Sequence, residues 1–226
     1  MSLITSNAQD KIETYNSGYH EYNEAANAIY AERDNAVSIF DRSYLRMVIL
    51  GLIKFDMLRW MDETEREAYS FDGTGFGARL ESKLAVLQPK LEPFLDANIL
   101  SVDLASIEEA LEIAYSNLAA GGSESLHRLG NRFDVGATKI LHFLIPKLFI
   151  IVDKFVARAF AAAWQVPFAK NPVHSLRTYR MCLKHAQSDI CAYAGNLQAL
   201  EPYAPLPRIY DKLAFITGRE ASKGGG

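Results

Sequence analysis

The chain has 226 residues, of which 49% are hydrophobic, and 24 Lys and Arg against 27 Asp and Glu give a formal net charge of -3. That length and apolar content suit a globular protein able to bury a core, either as one large domain or as two small lobes around a shared cleft. The two cysteines, Cys182 and Cys191, fit neither a close-spaced zinc pair nor the four thiolates of an iron–sulfur cluster, so the expectation is a reducing, cytoplasmic compartment with no structural metal and no cofactor.

The first twenty residues, "MSLITSNAQDKIETYNSGYH", lack the basic and apolar regions of a signal peptide. No window reaches the roughly eighteen uninterrupted apolar residues of a membrane helix, so neither secretion nor a membrane association is expected. Apolar positions then recur at spacings of three and four along most of the chain, which predicts an all-α protein. Residues 8 to 33 read as helix, with Tyr15, Tyr19 and Tyr22 on one face as a packing stripe or, alternatively, a base-stacking platform. A long apolar helix is predicted near residues 36 to 68, ending at "SFDGTGFGARL". Gly73, Gly75 and Gly77 make that a tight loop, but with no strand before it the stretch is not a dinucleotide-binding fingerprint. It is a turn, or a turn that lines a cleft.

"LASIEEALEIAYSNLAAGG" places Ser106 as a cap with Glu109 three residues on, and Gly121 and Gly122 as the stop. Thr138 to Leu144 has helical periodicity, Pro146 allows a short turn, and a helix follows from Asp153 through Trp164. "HSLRTYRMCLKHAQSDICAYAGNL" and "PRIYDKLAFITG" are the last helical stretches, joined by short proline-marked loops and not by a domain linker. Residues 1 to 220 therefore read as a single helical domain with two lobes around a cleft, and residues 221 to 226, "ASKGGG", as a flexible tail.

The small net charge hides a sharp division. Residues 1 to 126 carry ten basic and twenty-one acidic side chains, whereas residues 127 to 188 carry ten basic side chains against only Asp134 and Asp153. The second segment is +8, and the remainder balances at zero. Such asymmetry favours a polyanionic partner, although a basic solvated surface has the same composition. Within that segment Lys139 opens one predicted helix and Asp153 the next, so both are expected at one cleft. A carboxylate at a helix N-terminus is also an ordinary cap, and a lysine in an apolar run is also a snorkelling side chain. His142 lies three residues after Lys139 on the same face, as a buried, satisfied histidine or a catalytic one.

The stretch "VGATKILHFLIPKLFIIVDKFVARAF" resembles the helix-hairpin-helix DNA glycosylase superfamily, in which a Gly-rich hairpin and a helix lead to a catalytic aspartate in a "VD-x-x-V-x-R" setting. Here that setting is Val152, Asp153, Val156 and Arg158. "RIYDKLAFITG" is similar to a terminal helix of bacterial glycosylase-like relatives. The resemblance is firm over about 30 residues and loose over about 90. It implies a two-lobed all-α fold and a monomer that binds DNA and cleaves the N-glycosidic bond of a modified or damaged base. In anti-phage defence that base would be a hypermodified cytosine such as glucosylated hydroxymethylcytosine. It implies Asp153 as the catalytic carboxylate and places Lys139 where some members carry a Schiff-base lysine. DNA contacts would fall to Gly136, Thr138, Arg132, Lys154 and Arg158, and His142 would line the substrate pocket. The superfamily hairpin usually reads "L-P-G-V-G", whereas this chain has "RFDVGATK", which implies an altered backbone clamp. The interval between Lys139 and Asp153 is shorter than in typical bifunctional members of the superfamily, so the resemblance implies a monofunctional enzyme. The chemistry suits the residue types: a fixed carboxylate stabilises the oxocarbenium charge that develops on the sugar and orients water. A helical nucleic-acid-binding module without catalysis, and a helical protein-interaction domain, are the alternatives.

Overall fold

The structure, a computed structural model, describes residues 2–58, 71–73, 75–127, 129–165 and 175–223. Among these residues there are nine α-helices, two short 3-10 turns and no strand, so the protein is all-α as its periodicity predicts. No helix among them is long and apolar enough to cross a membrane. The chain divides into two compact units, each assembled from separate stretches of sequence. The first comprises residues 1–20, 97–106 and 145–226, and the second residues 21–96 and 107–144.

The second unit holds α2 (His20–Asn35), α3 (Arg42–Lys54), α4 (Phe76–Leu91), α5 (Glu108–Leu118) and α6 (Asp134–Leu144). Its core is made where α3 packs on α4 and α6 and where α5 packs on α4 and α6, burying Leu45, Val48, Leu52, Leu80, Leu84, Tyr115, Ile140 and Phe143. Each such side chain contributes about 1.5–3 kcal/mol on removal from water. Tyr44 is fully buried and donates its hydroxyl to the Phe143 carbonyl, so its polar end does not oppose that burial.

Several boundaries differ from the sequence expectation. The helix expected over 36 to 68 begins at Arg42, because the Ser38 hydroxyl and carbonyl take the Phe40 and Asp41 amides in a local turn. It stops at Lys54, and Asp56 then adopts φ 57; residues 59–70 lie outside the described residues. The glycine loop is shorter than expected, since Gly75 is the N-cap of α4 and Gly77 is buried within that helix. Ser106 does not cap α5: its hydroxyl donates to the Asp103 carbonyl, while the Asp103 carboxylate takes the Ala105 amide. The competing Asp103 turn has captured the capping hydroxyl. Helix α6 starts four residues before Thr138, with Asp134 in its first turn, where the free amides favour a carboxylate.

The first unit holds α1 (Ala8–Gly18), α7 (Lys154–Trp164), α8 (Leu176–Leu200, with non-helical torsions at Tyr193) and α9 (Leu206–Lys223). Helix α9 packs against α1, α7 and α8. Gly218 sits where α9 meets the start of α7, and a Cβ there would lie 1.9 Å from the Phe155 carbonyl oxygen, so only glycine permits the approach. The expected helix over 8 to 33 is broken at Tyr19, next to Gly18, a poor helix former. The three tyrosines consequently form no single stripe: Tyr15 and Tyr19 pack with Phe215 in the first unit, and Tyr22 stacks on Phe55 in the second. The expected tail begins too early, because helix α9 continues through Lys223; residues 224–226 lie outside the described residues.

Candidate functional site

In the second unit, the residues expected to meet DNA or act on it are mostly interior. Gly136 lies in the first turn of α6 with no positive φ, and a Cβ there would fall 2.1 Å from the Phe133 ring. It is a packing glycine, not an open hairpin position, because the ring of Phe133 folds over its backbone. Thr138 is buried and donates its hydroxyl to the Val135 carbonyl. Arg132 is exposed but pairs through two nitrogens with the buried Asp134, which also accepts the Tyr115 hydroxyl. The hydrogen bond to Asp134 raises the Arg132 pKa, against a smaller opposing effect of burial.

Lys139 is not a surface lysine. It is 6% exposed, its Nζ donates to the Phe55 carbonyl at 3.1 Å, and it lies 5.0 Å from the centre of the Phe55 ring. That ring in turn stacks on Tyr22 and meets Phe143 edge-on, so the ammonium is held within an aromatic packet. His142 is fully buried, with Nε2 2.5 Å from the Tyr30 hydroxyl. A buried imidazole requires such a partner, and the arrangement is that of a satisfied core histidine.

In the first unit, Asp153 is the N-cap of α7. Its backbone is extended (φ -106, ψ -173), and Oδ1 accepts from the Phe155 amide at 2.8 Å and the Val156 amide at 2.9 Å. The chain before it, Phe149 through Val152, is buried, which fixes where the helix begins. The carboxylate is therefore anchored in place, on a residue that is only partly buried. Beside it, Phe155 meets Phe215 edge-on at 5.1 Å, and Phe215 meets Tyr19 at 5.1 Å, all three rings being partly exposed. Cations flank this aromatic face: Lys154 and Arg158 lie 4.9 and 5.9 Å from the Phe155 ring, and Arg219 lies 5.6 Å from the Tyr19 ring and donates to its hydroxyl. A fixed carboxylate next to aromatic rings and cations can meet a sugar cation, a base face and a phosphate respectively.

Beneath this surface is a network that the sequence reading missed. Arg208, Asp211 and Lys212 are each 3% exposed, although they lie together on α9. Arg208 donates to Asp211 at 2.6 Å and to the Tyr15 hydroxyl at 2.9 Å, and Lys212 donates to Glu201 at 2.6 Å and Asn16 at 3.1 Å. Burial pushes the Asp211 carboxyl up to about 6 against the pull of Arg208 and of the Ile151 amide. Burial also pushes the Tyr15 phenol up and the Lys212 ammonium down. The signal was present in "RIYDKLAFITG", where three ionisable side chains within five positions share a helix with Ile209, Tyr210, Leu213 and Ala214.

The basic segment divides between the units. Lys147, Lys154, Arg158, Arg177 and Lys184 are exposed on the first and Arg132 on the second, while Arg128 and Lys170 lie outside the described residues. Lys139 and Asp153 likewise belong to different units. Among the described residues no group of three or more His, Cys, Asp or Glu is placed to hold a metal ion. Compared with known proteins, the chain matches no family model, no curated protein and no solved structure.

Proposed function

We propose that the protein is a DNA glycosylase that hydrolyses the N-glycosidic bond of a modified or damaged base, with Asp153 as the central carboxylate. The observation that carries this is the anchoring of Asp153 by two amides at the N-terminus of α7, only partly buried and beside an aromatic face flanked by cations. As the bond from C1′ to the base nitrogen breaks, its electrons leave with the base and positive charge develops on the sugar. A carboxylate fixed beforehand stabilises that charge without reorganising. Water then adds to C1′ and its proton returns to the base. Extruding a base from the duplex leaves its face to be stacked and the flanking phosphates to be neutralised, tasks suited to Phe155, Phe215 and Tyr19 and to Lys154 and Arg158. The resemblance to helix-hairpin-helix glycosylases supports the same assignment and hypermodified phage cytosine as the substrate class, while the two free cysteines suit a cytoplasmic compartment and a monomer is taken as the working form. The packing of Lys139 against Phe55 favours a monofunctional enzyme, because an amine in that packet is not presented to a sugar carbon.

The test is incubation with unmodified and phage-modified genomic DNAs and mass spectrometry of the released bases. Release of one base class supports the assignment. A non-catalytic nucleic-acid-binding module is the second reading, favoured by the fact that Asp153 already serves α7 as an ordinary cap. Salt-dependent DNA binding without any abasic sites in the product DNA would select it.

A further inference from the structure

We infer that Asp211 is a positioning residue for Asp153, acting through the extended segment that leads into α7; the inference rests on the glycosylase assignment for its functional consequence but not for its structural one. Two side chains from two helices hold the two ends of a single peptide group of that segment, the one joining Ile150 to Ile151. Tyr179 on α8 donates its hydroxyl to the Ile150 carbonyl at 3.2 Å, and Asp211 on α9 accepts the Ile151 amide through Oδ2 at 3.3 Å. Both anchors are buried, with Tyr179 1% and Asp211 3% exposed. Asp153 follows two residues later, and its carboxylate takes the Phe155 and Val156 amides. The other carboxylate oxygen of Asp211 is fixed by Arg208, and Arg208 by the Tyr15 hydroxyl, so the acceptor offered to Ile151 cannot rotate away freely. The titratable groups facing Asp211 are Arg208 and Lys212 from its own helix and the neutral Tyr15 phenol from α1. A ladder from α1 through α9 to Ile151 thus sets the place of the catalytic carboxylate, and a displacement of about 1 Å there lowers a rate about a hundredfold.

A single substitution at Asp211 would leave Arg208 buried without its counter-charge, which can unfold the protein by itself. Two double variants avoid this. Arg208→Met with Asp211→Asn removes the charge pair and keeps a carbonyl acceptor for Ile151, whereas Arg208→Met with Asp211→Leu removes the pair and the acceptor at similar volume. Two measurements are made on each full-length protein: single-turnover base release alongside DNA affinity, and hydrogen exchange at the Phe155 and Val156 amides. The expected result is base release about a hundredfold slower in the Leu pair than in the Asn pair, with affinities within about threefold, and faster exchange at both amides in the Leu pair. Equal exchange at those amides in the two pairs overturns the positioning role. Should the wild type release no base from any DNA, the glycosylase assignment fails, while the exchange comparison still decides whether Asp211 holds the segment.

Discussion

Lys139 and Asp153 both stand out in one apolar run of the sequence, but they have opposite environments. The lysine is buried and bound to the Phe55 carbonyl, and the aspartate is only partly buried at a helix start. Lys139→Gln should cost about 1–3 kcal/mol of stability by disrupting the buried contact, seen as a lowered Tm, while base release stays measurable. Borohydride should trap no covalent complex of the wild type with DNA. A trapped complex that disappears in Lys139→Gln would contradict the monofunctional assignment. Asp211 gives a pH dependence of defined sign. Its carboxyl holds a proton up to about pH 6 when folded, against about 3.9 for an ordinary aspartate in the unfolded chain. Between those values the folded state binds more protons, so the contribution of this group to stability falls as pH rises through the window, by up to about 3 kcal/mol. The Arg208→Met with Asp211→Asn pair, which lacks this titration without stranding a buried arginine, should therefore gain stability relative to wild type as pH rises from 4 to 7, as followed by denaturant unfolding. A constant difference across that range would contradict the burial-driven shift.

At the scale of elements, two glycines determine how closely helices and rings approach. Gly218 admits the Phe155 carbonyl of α7 onto α9, and Gly136 admits the Phe133 ring onto α6. Gly218→Ala should destabilise by about 1–3 kcal/mol or more, because a backbone atom and not a flexible side chain must move, and it should shift the start of α7 with Asp153. Gly136→Ala should destabilise without that shift, since its cost falls on Phe133. Circular dichroism melting with amide exchange at Phe155 distinguishes the two, and an unchanged Tm in Gly218→Ala would refute the close approach. Helix existence was legible from periodicity nearly throughout, and the helix opening at Asp153 was read to within a residue. Starts decided by local competition were not: the Asp103 turn took the Ser106 hydroxyl, and the Ser38 turn delayed α3. The resemblance alone makes Gly136 a hairpin glycine, and the ring above it comes from a residue whose rotamer the sequence does not state.

At the scale of the whole molecule, the charge division of the sequence survives as exposed cations on the first unit, with Lys154 and Arg158 next to the aromatic face. The buried ionic network on α9 was not legible, because polar spacing on a helix does not reveal which polar groups end inside. Replacing Lys154 and Arg158 by alanine should weaken binding to all DNA sequences alike and flatten the salt dependence of the affinity by about one power per lost phosphate contact. An unchanged slope would move the DNA surface elsewhere. The central claim is that one anchored carboxylate performs the chemistry, and Asp153→Asn isolates it: the amide keeps a capping oxygen for Phe155 and Val156 while the charge is lost. Released bases should be quantified by mass spectrometry for wild type and Asp153→Asn on the same modified DNA, with Tm and DNA affinity measured alongside. The prediction is base release lowered by orders of magnitude at nearly unchanged Tm and affinity; full release by Asp153→Asn would contradict it.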